Sequence, residues 1–273
     1  MNVSATGTGA YAQYMELFHP ALPAGCYITS LGTYSGGVGT VNISAAPTVA
    51  IAAGTINAIG GKVSVVTDRS PVASNAVQAT GANQPLLLKN YLGNFNGEDR
   101  DALFFDGTTT QNLQSANTFN GGNSWSFAFA ARLGTTGNRQ IFCSLGASSD
   151  FGFFFTSGTA CGFGNGGAGL SLTLPTNVIG SVVRGYGTMF YPGSGNITCT
   201  LNVNGATASS SSIPLAGKLP GTGGVIIGAY RTPTLNQYSG EIFEVAFANS
   251  VITSDQGAAT MSYFDSMLRT LVS

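Results

Sequence analysis

The sequence predicts an all-β fold in which two antiparallel sheets pack face to face, with a short helix at the C-terminal end and an N-terminal extension. Three observations predict it. Apolar and small polar residues alternate with period two over several stretches, tight-turn dipeptides follow some of them, and helical periodicity is convincing only near the C-terminus.

NSWSFAFAARL sets Trp125, Phe127, Phe129, Ala131 and Leu133 on one strand face and Ser124, Ser126, Ala128, Ala130 and Arg132 on the other. Trp125 is therefore expected in the core. DFGFFFTSG repeats the heavy face with Phe151, Phe153 and Phe155, and GLSLTL opposes Leu170, Leu172 and Leu174 to Ser171 and Thr173. In ITCTLNVNG, Ile197, Cys199, Leu201 and Val203 oppose Thr198, Thr200 and Asn202. Asn204-Gly205, and Asp106-Gly107 after ALFF, match the left-handed positions of tight hairpins. Burying each Phe or Leu is worth about 1.5–3 kcal/mol, and such faces need a second apolar layer to meet. In TSDQGAATMSYFDSMLRTL, Thr253 and Gln256 fit a capping box, while Met261, Phe264, Leu268 and Leu271 form one helical stripe.

The organisation read from these signals is an N-terminal arm or anchoring extension over residues 1–44 and a sandwich over residues 45–273. Within YAQYMELF, Tyr11, Tyr14 and Phe18 recur near helical spacing until Pro20 stops it. The segment reads either as one or two helical turns or as an arm, docked in its own domain or anchored on another surface.

Only 8% of the 273 residues are charged, against roughly 25% in a typical soluble domain. The formal net charge is −1 and no basic stripe exists, which excludes nucleic-acid binding as a function. No charged leader precedes an apolar run at the amino terminus, so no secretory signal is expected. PTVAIAAGTINAIGG is interrupted and too short to cross a bilayer, so membrane insertion is not expected either. Cys26, Cys143, Cys161 and Cys199 lack CxxC spacing and read as small buried side chains rather than disulfides or metal ligands.

Candidate chemistry is sparse. Glu98, Asp99 and Asp101 cluster in NGEDRDALFF, where a solvated loop is the simpler reading than a catalytic dyad. Glu241 and Glu244 stand three apart, which in a regular strand puts them on opposite faces. His19, the single histidine, lies between Phe18 and Pro20 and reads as packing or loop structure. The glycine-rich TGTGAY and GFGNGGAG lack the Lys and Ser/Thr ending of a phosphate loop. Asp68 and Asp106 are candidate calcium ligands, with turn capping as the competing role and no other cofactor expected. Sugars stack on aromatic rings while short polar groups fix their hydroxyls, so Tyr186, Tyr191, Tyr230, Asn236 and Tyr238, near strand ends, are candidate glycan contacts. Tyr11, Tyr14 and Phe18 are the candidate assembly anchor.

The ordered series VTDRSPVASNAVQATGANQPLL, ALFFDG, NSWSFAFAARL, VNG and VIIGAYRTPTLNQYSGEIFEVAFANSVITSDQGAATMSYF resembles the concanavalin A-like or laminin G-like jelly-roll domains of phage virion and bacterial surface proteins. The resemblance covers residues 45–273. After Asp68 the chain reads DRSPVASNA, a departure from the family's usual Ser, Gly and His pattern, so no site residue carries over there. The alternating ExDxE of laminarinase-like members is absent. The resemblance implies a platform whose members bind glycans, cleave them or build structures. Joined to the low charge, it leads to the expectation of a non-enzymatic phage virion structural protein: a capsid decoration or spike, or a tail fibre or baseplate component. Its expected partners are other virion proteins, copies of itself and host-surface polysaccharide, and its expected location is the virion, assembled in the host cytoplasm. A glycan-binding adhesion module and a glycoside hydrolase are the alternatives.

Overall fold

The structure is a computed structural model that describes residues 2–4, 15–23, 26, 28–33, 35, 38–49, 51, 57–59, 63–67, 74–88, 94–95, 98–99, 101–107, 110–119, 124–134, 139–144, 151–165, 168–214, 223–230 and 236–268. The chain forms two compact units, one of Met1–Lys62 with Leu86–Ala102 and one of Val63–Pro85 with Leu103–Ser273.

In the first unit, Glu16–Phe18 is a strand paired antiparallel with Asn57–Ile59, and Ile28–Ser30 pairs with Asn42–Ile43. The helical turns expected here give way at Glu16–Phe18 because non-local partners claim the backbone. The Leu17 N–H donates to the Cys26 carbonyl at 2.7 Å, and the Ile28 N–H donates to the Met15 carbonyl at 3.0 Å. Leu17, 2% exposed, then joins Leu22, Cys26, Ile28 and Val41 in a small core. This pairing also carries the unit past residue 44. Tyr11 and Tyr14 lie outside the described residues, as does the Phe18 side chain. His19 serves the turn, its Nδ1 accepting from the Ala21 N–H at 3.0 Å. Glu98–Asp99 is a short strand against Asn94–Phe95 rather than a loop, and its side chains are outside the described residues.

The second unit is the predicted sandwich. Its strands are β1 (Val65–Val66), β2 (Ala76–Val77), β3 (Ala102–Asp106), β4 (Leu113–Phe119), β5 (Trp125–Leu133), β6 (Arg139–Ser144), β7 (Phe151–Ser157), β8 (Ala160–Asn165), β9 (Ala168–Thr173), β10 (Val182–Phe190), β11 (Asn196–Val203), β12 (Ala206–Pro214), β13 (Gly223–Ile227) and β14 (Ser239–Ala248), followed by helix α1 (Ser254–Leu268). Sheet A runs β12-β11-β10-β5-β14-β3, and sheet B runs β9-β8-β7-β6-β13-β4-β2-β1. Neighbours within each sheet pair antiparallel.

Between the sheets lies the aromatic layer that the alternation predicts. Trp125 from sheet A meets Phe163 from sheet B edge-on at 5.4 Å, and Phe129 meets Phe153 at 4.5 Å. Phe127 touches both Phe142 and Phe163, at 4.7 and 4.8 Å. Leu170, Leu172, Leu174, Ile197, Cys199, Leu201 and Val203 complete the same core. All four cysteines are buried thiols and none forms a disulfide.

The large rings fit because β10 offers glycines opposite them. Gly185 pairs with Phe129 and Gly187 with Phe127. A Cβ on Gly187 would lie 2.3 Å from the Phe127 ring, and one on Gly185 would lie 2.9 Å from the Phe129 ring.

The turn after β11 is the predicted hairpin, with Asn204 and Gly205 at φ 51° and 86°. At Asp106-Gly107 the structure differs: only Gly107 is left-handed, at φ 71°, and β3 and β4 belong to different sheets. That dipeptide makes a crossover corner, tied by the Asp106 N–H donating to Gln111 Oε1 at 2.7 Å.

The helix begins with the expected capping box. The Gln256 N–H donates to Thr253 Oγ1 at 3.2 Å, and the Thr253 N–H donates to Gln256 Oε1 at 2.8 Å. Phe264 and Leu268 are buried as the stripe predicts, joined by Met267 and Gly257, while Met261 is half-buried. Leu271 is outside the described residues.

Truncating Phe127 to Ala should lower the unfolding free energy by about 3–5 kcal/mol. Gly187→Ala should cost about 1–3 kcal/mol, because the Phe127 ring must leave its rotamer. Chemical denaturation of the two variants beside the parent chain checks both values.

Candidate functional site

The outer face of sheet A is built from the light alternates of the sequence pattern. Ser126, Ala128, Ala130 and Arg132 of β5 share it with Arg184, Tyr186 and Thr188 of β10. Ala128 and Ala130 are buried although they point away from the core. Helix α1 packs on this side, against residues of β10 and β14. A Cβ on Gly257 of α1 would fall 2.4 Å from Tyr186 Cζ, so the helix lies directly against the phenol. Arg184 Nε stands 2.5 Å from Asp265 Oδ1, and the Tyr263 hydroxyl donates to Glu244 Oε2 at 3.0 Å. Ser126 fastens the entry to the helix, donating to the Ser250 carbonyl at 2.7 Å and accepting from the Ile252 N–H at 3.0 Å.

Glu241 and Glu244 do not lie on opposite faces. Ala130 pairs with Glu244 and Arg132 with Glu241, with a register shift between Ala130 and Ala131 that leaves one extra residue on β14. This bulge brings both carboxylates to the outer face. Glu241 is 4% exposed, with Arg132 Nη1 at 3.9 Å, and Glu244 is held by Tyr263. Both acids are engaged in structure.

Beside α1, a shallow trough of about 250 Å³ opens over β10, β11 and β12, lined by Tyr186, Thr200, Asn202, Thr207 and Ser209, with Leu201 and Ala208 in its floor. The register explains the composition. Tyr186 pairs with Asn202 and Asn202 with Thr207; Thr188 pairs with Thr200 and Thr200 with Ser209. Two cross-strand rows of side chains therefore stand side by side. Cross-strand neighbours lie about 4.8 Å apart and successive rows about 6.8 Å apart. Thr188 and Thr200 join through their hydroxyls at 2.6 Å, and Asn202 Oδ1 accepts from the Gly205 N–H at 3.1 Å.

Of the tyrosines named from sequence, only Tyr186 lines this trough. Tyr191 is tied into the turn after β10, its hydroxyl donating to the Gly193 carbonyl at 3.0 Å and its N–H to Ser124 Oγ at 2.8 Å. Tyr230 is half-buried in the β13–β14 connection, where Asn236 is a left-handed turn residue at φ 52°. Tyr238 is not a surface ring: it is fully buried, edge-on to Phe105 at 6.1 Å. Gly228, at φ 86°, makes the room, since a Cβ there would lie 2.1 Å from Phe105. The Tyr238 hydroxyl has no hydrogen-bond partner among the described residues. Desolvation, reinforced by Glu241 and opposed by Arg132, pushes its phenol well above the usual value.

Asp68 lies outside the described residues. Asp106 stands half-buried at the crossover corner, and the described residues contain no cluster of three or more His, Cys, Asp or Glu that could hold a metal ion. Among them, too, no helix is long and apolar enough to cross a membrane.

No family model matches the chain, and neither does any curated protein. Among solved structures, the chain is similar to a GH54 α-L-arabinofuranosidase, with 11% identity over 77% of this chain and 51% of that one, at a TM-score of 0.51. It also matches a Trypanosoma rangeli sialidase in complex with sialic acid, with 14% identity over 74% of this chain and 36% of that one, at a TM-score of 0.43. The botulinum neurotoxin serotype D binding domain gives 11% identity over 74% of this chain and 51% of that one, at 0.45. The chain thus spans 36% to 51% of the length of these three proteins. At such identities the arabinofuranosidase likeness carries the fold alone.

Two measurements test the buried chemistry. Burial pushes the thiols of Cys161 and Cys199 up to about 12, so both should resist alkylation by iodoacetamide at neutral pH and react once the chain is unfolded. Mass spectrometry of the labelled peptides gives the result. Tyr238→Phe should leave the chain at least as stable as the parent, by up to about 1 kcal/mol, because no hydrogen bond is lost with the hydroxyl. The raised phenol contributes stability that is complete below the free tyrosine value of about 10 and declines as pH rises above it. Thermal melts across that range should therefore show a smaller alkaline loss in Tyr238→Phe.

Proposed function

We propose that the chain is a non-catalytic glycan-binding β-sandwich that holds sugar in the trough beside α1. The observation that carries this reading is the pairing of an aromatic ring, Tyr186, with the Asn202 amide and the hydroxyls of Thr200, Thr207 and Ser209 in two adjacent rows. A sugar ring offers an apolar face and a rim of hydroxyls, each able to donate and accept, and this lining presents both kinds of surface. Hydrolysis by the usual route requires two carboxyl groups flanking the scissile bond. The trough is lined by none, and the outer-face acids Glu241 and Glu244 are engaged with Arg132 and Tyr263. Binding without cleavage is the function that fits.

A second reading sets this module on a virus particle, as a capsid or tail surface component among copies of itself. It is favoured by the composition: 8% charged residues means that large interfaces can form with little charge to desolvate. On this reading the first unit is the assembly element and the trough faces a host polysaccharide. Recovery of the chain by mass spectrometry from intact particles of the producing culture supports it, and its absence there removes it.

For the glycan reading, the double variant Asn202→Ala/Thr207→Ala should keep the parent's melting profile to within a few degrees. Its retardation in polysaccharide-containing native gels should fall about tenfold, the equivalent of about 1.4 kcal/mol. Unchanged retardation would remove the trough from the proposal.

A further inference from the structure

Resting on that glycan-binding reading, we infer that the trough selects uncharged glycans over acidic ones, and that α1 sets this preference by cancelling the charge of Arg184. Tyr186 apart, no lining residue ionises. Arg184 is the cation nearest the trough in sequence and register, two residues before Tyr186 on the same face of β10. Left alone, it would be the natural fork for a sugar carboxylate or sulfate. Its Nε instead stands 2.5 Å from Asp265 Oδ1 on α1, and its Nη1 donates to Asn204 Oδ1 at 3.4 Å. Two strands from Arg184, across Ala130 of β5, the Glu244 carboxylate also faces outward and takes the Tyr263 hydroxyl.

The surroundings of the trough thus range from neutral to slightly negative. An acidic sugar entering it would give up hydration of its charge with no free cation among the described lining and neighbouring residues to meet it, whereas neutral hydroxyls exchange water for Thr, Ser and Asn partners at little cost. The guanidinium and the carboxylate are 28% and 42% exposed, so the pair contributes little to stability. Its effect is on which ligands the adjoining surface can accept.

The test is native gel electrophoresis of the full chain in gels cast with neutral polymers (mannan, dextran, xylan) or acidic ones (alginate, hyaluronan, polygalacturonate). Each gel is run at about 0.1 M and at about 1 M NaCl, where the screening length falls from about 10 Å to about 3 Å. We expect retardation by at least one neutral polymer, changing less than about twofold with salt, and none by the acidic polymers. Asp265→Asn, verified as folded by circular dichroism, should gain retardation by acidic polymers of about fivefold or more at low salt, lost at high salt. Salt-weakened retardation of the parent by an acidic polymer, abolished by Asn202→Ala/Thr207→Ala, would overturn the inference and leave the glycan reading standing. A folded Asp265→Asn that still ignores acidic polymers would overturn the role given to Arg184. Failure of every polymer to retard the parent would overturn the glycan reading itself.

Discussion

The fit of aromatic rings on β5 against glycines on β10 is the constraint on which the sandwich depends. Phe127 and Phe129 need more space than a pleated sheet gives to side chains on adjacent strands, and Gly187 and Gly185 supply it by having none. The rings can then reach across to Phe142, Phe153 and Phe163 and lock the two sheets in register. Glycine weakens a strand when it stands alone. Here the ring of the neighbouring strand covers it, so the cost is offset by aromatic contact that a larger residue would prevent.

With the inner face committed to large residues, the outer face of sheet A is left with small ones. Ala128 and Ala130 on β5 are buried there, and α1 lies against Tyr186 of the adjoining strand. The β14 bulge then turns Glu241 and Glu244 outward together, where Arg132 and Tyr263 meet them. Beyond the helix, β11 and β12 continue the same face with hydroxyls and an amide, and the trough forms where that polar surface meets Tyr186. A single alternation thus produces a core, a face for the helix and a candidate site.

That alternation was legible in the sequence, as were the capping box at Thr253 and Gln256 and the hairpin at Asn204-Gly205. What escaped depends on pairing between distant segments. The bulge that unites Glu241 and Glu244 exists only against β5, so counting along β14 alone put them on opposite faces. Glu16–Phe18 became a strand because Asn57–Ile59 lies beside it. Tyr238 looked like a ring at a strand end, but the space left at Gly228 draws Phe105 in and Tyr238 packs after it. Thr200 and Asn202 were visible as polar alternates, whereas Thr207 and Ser209 in the following polar tract were not singled out. Their convergence with Tyr186 required the register of β10, β11 and β12.

Strand β5 is flanked by β10 on one side and by β14, the last strand among the described residues, on the other. Ser126 of β5 pairs with Ala248 of β14, far along the chain, the kind of closure that slows folding. Helix α1 follows and meets residues of β10 and β14, while Ser126 of β5 ties down the segment that leads into it. A chain interrupted before Ser239 lacks both β14, the partner of β5, and the helix against Tyr186. The outer face that carries Tyr186 is therefore finished only when the segment after β14 has closed on it.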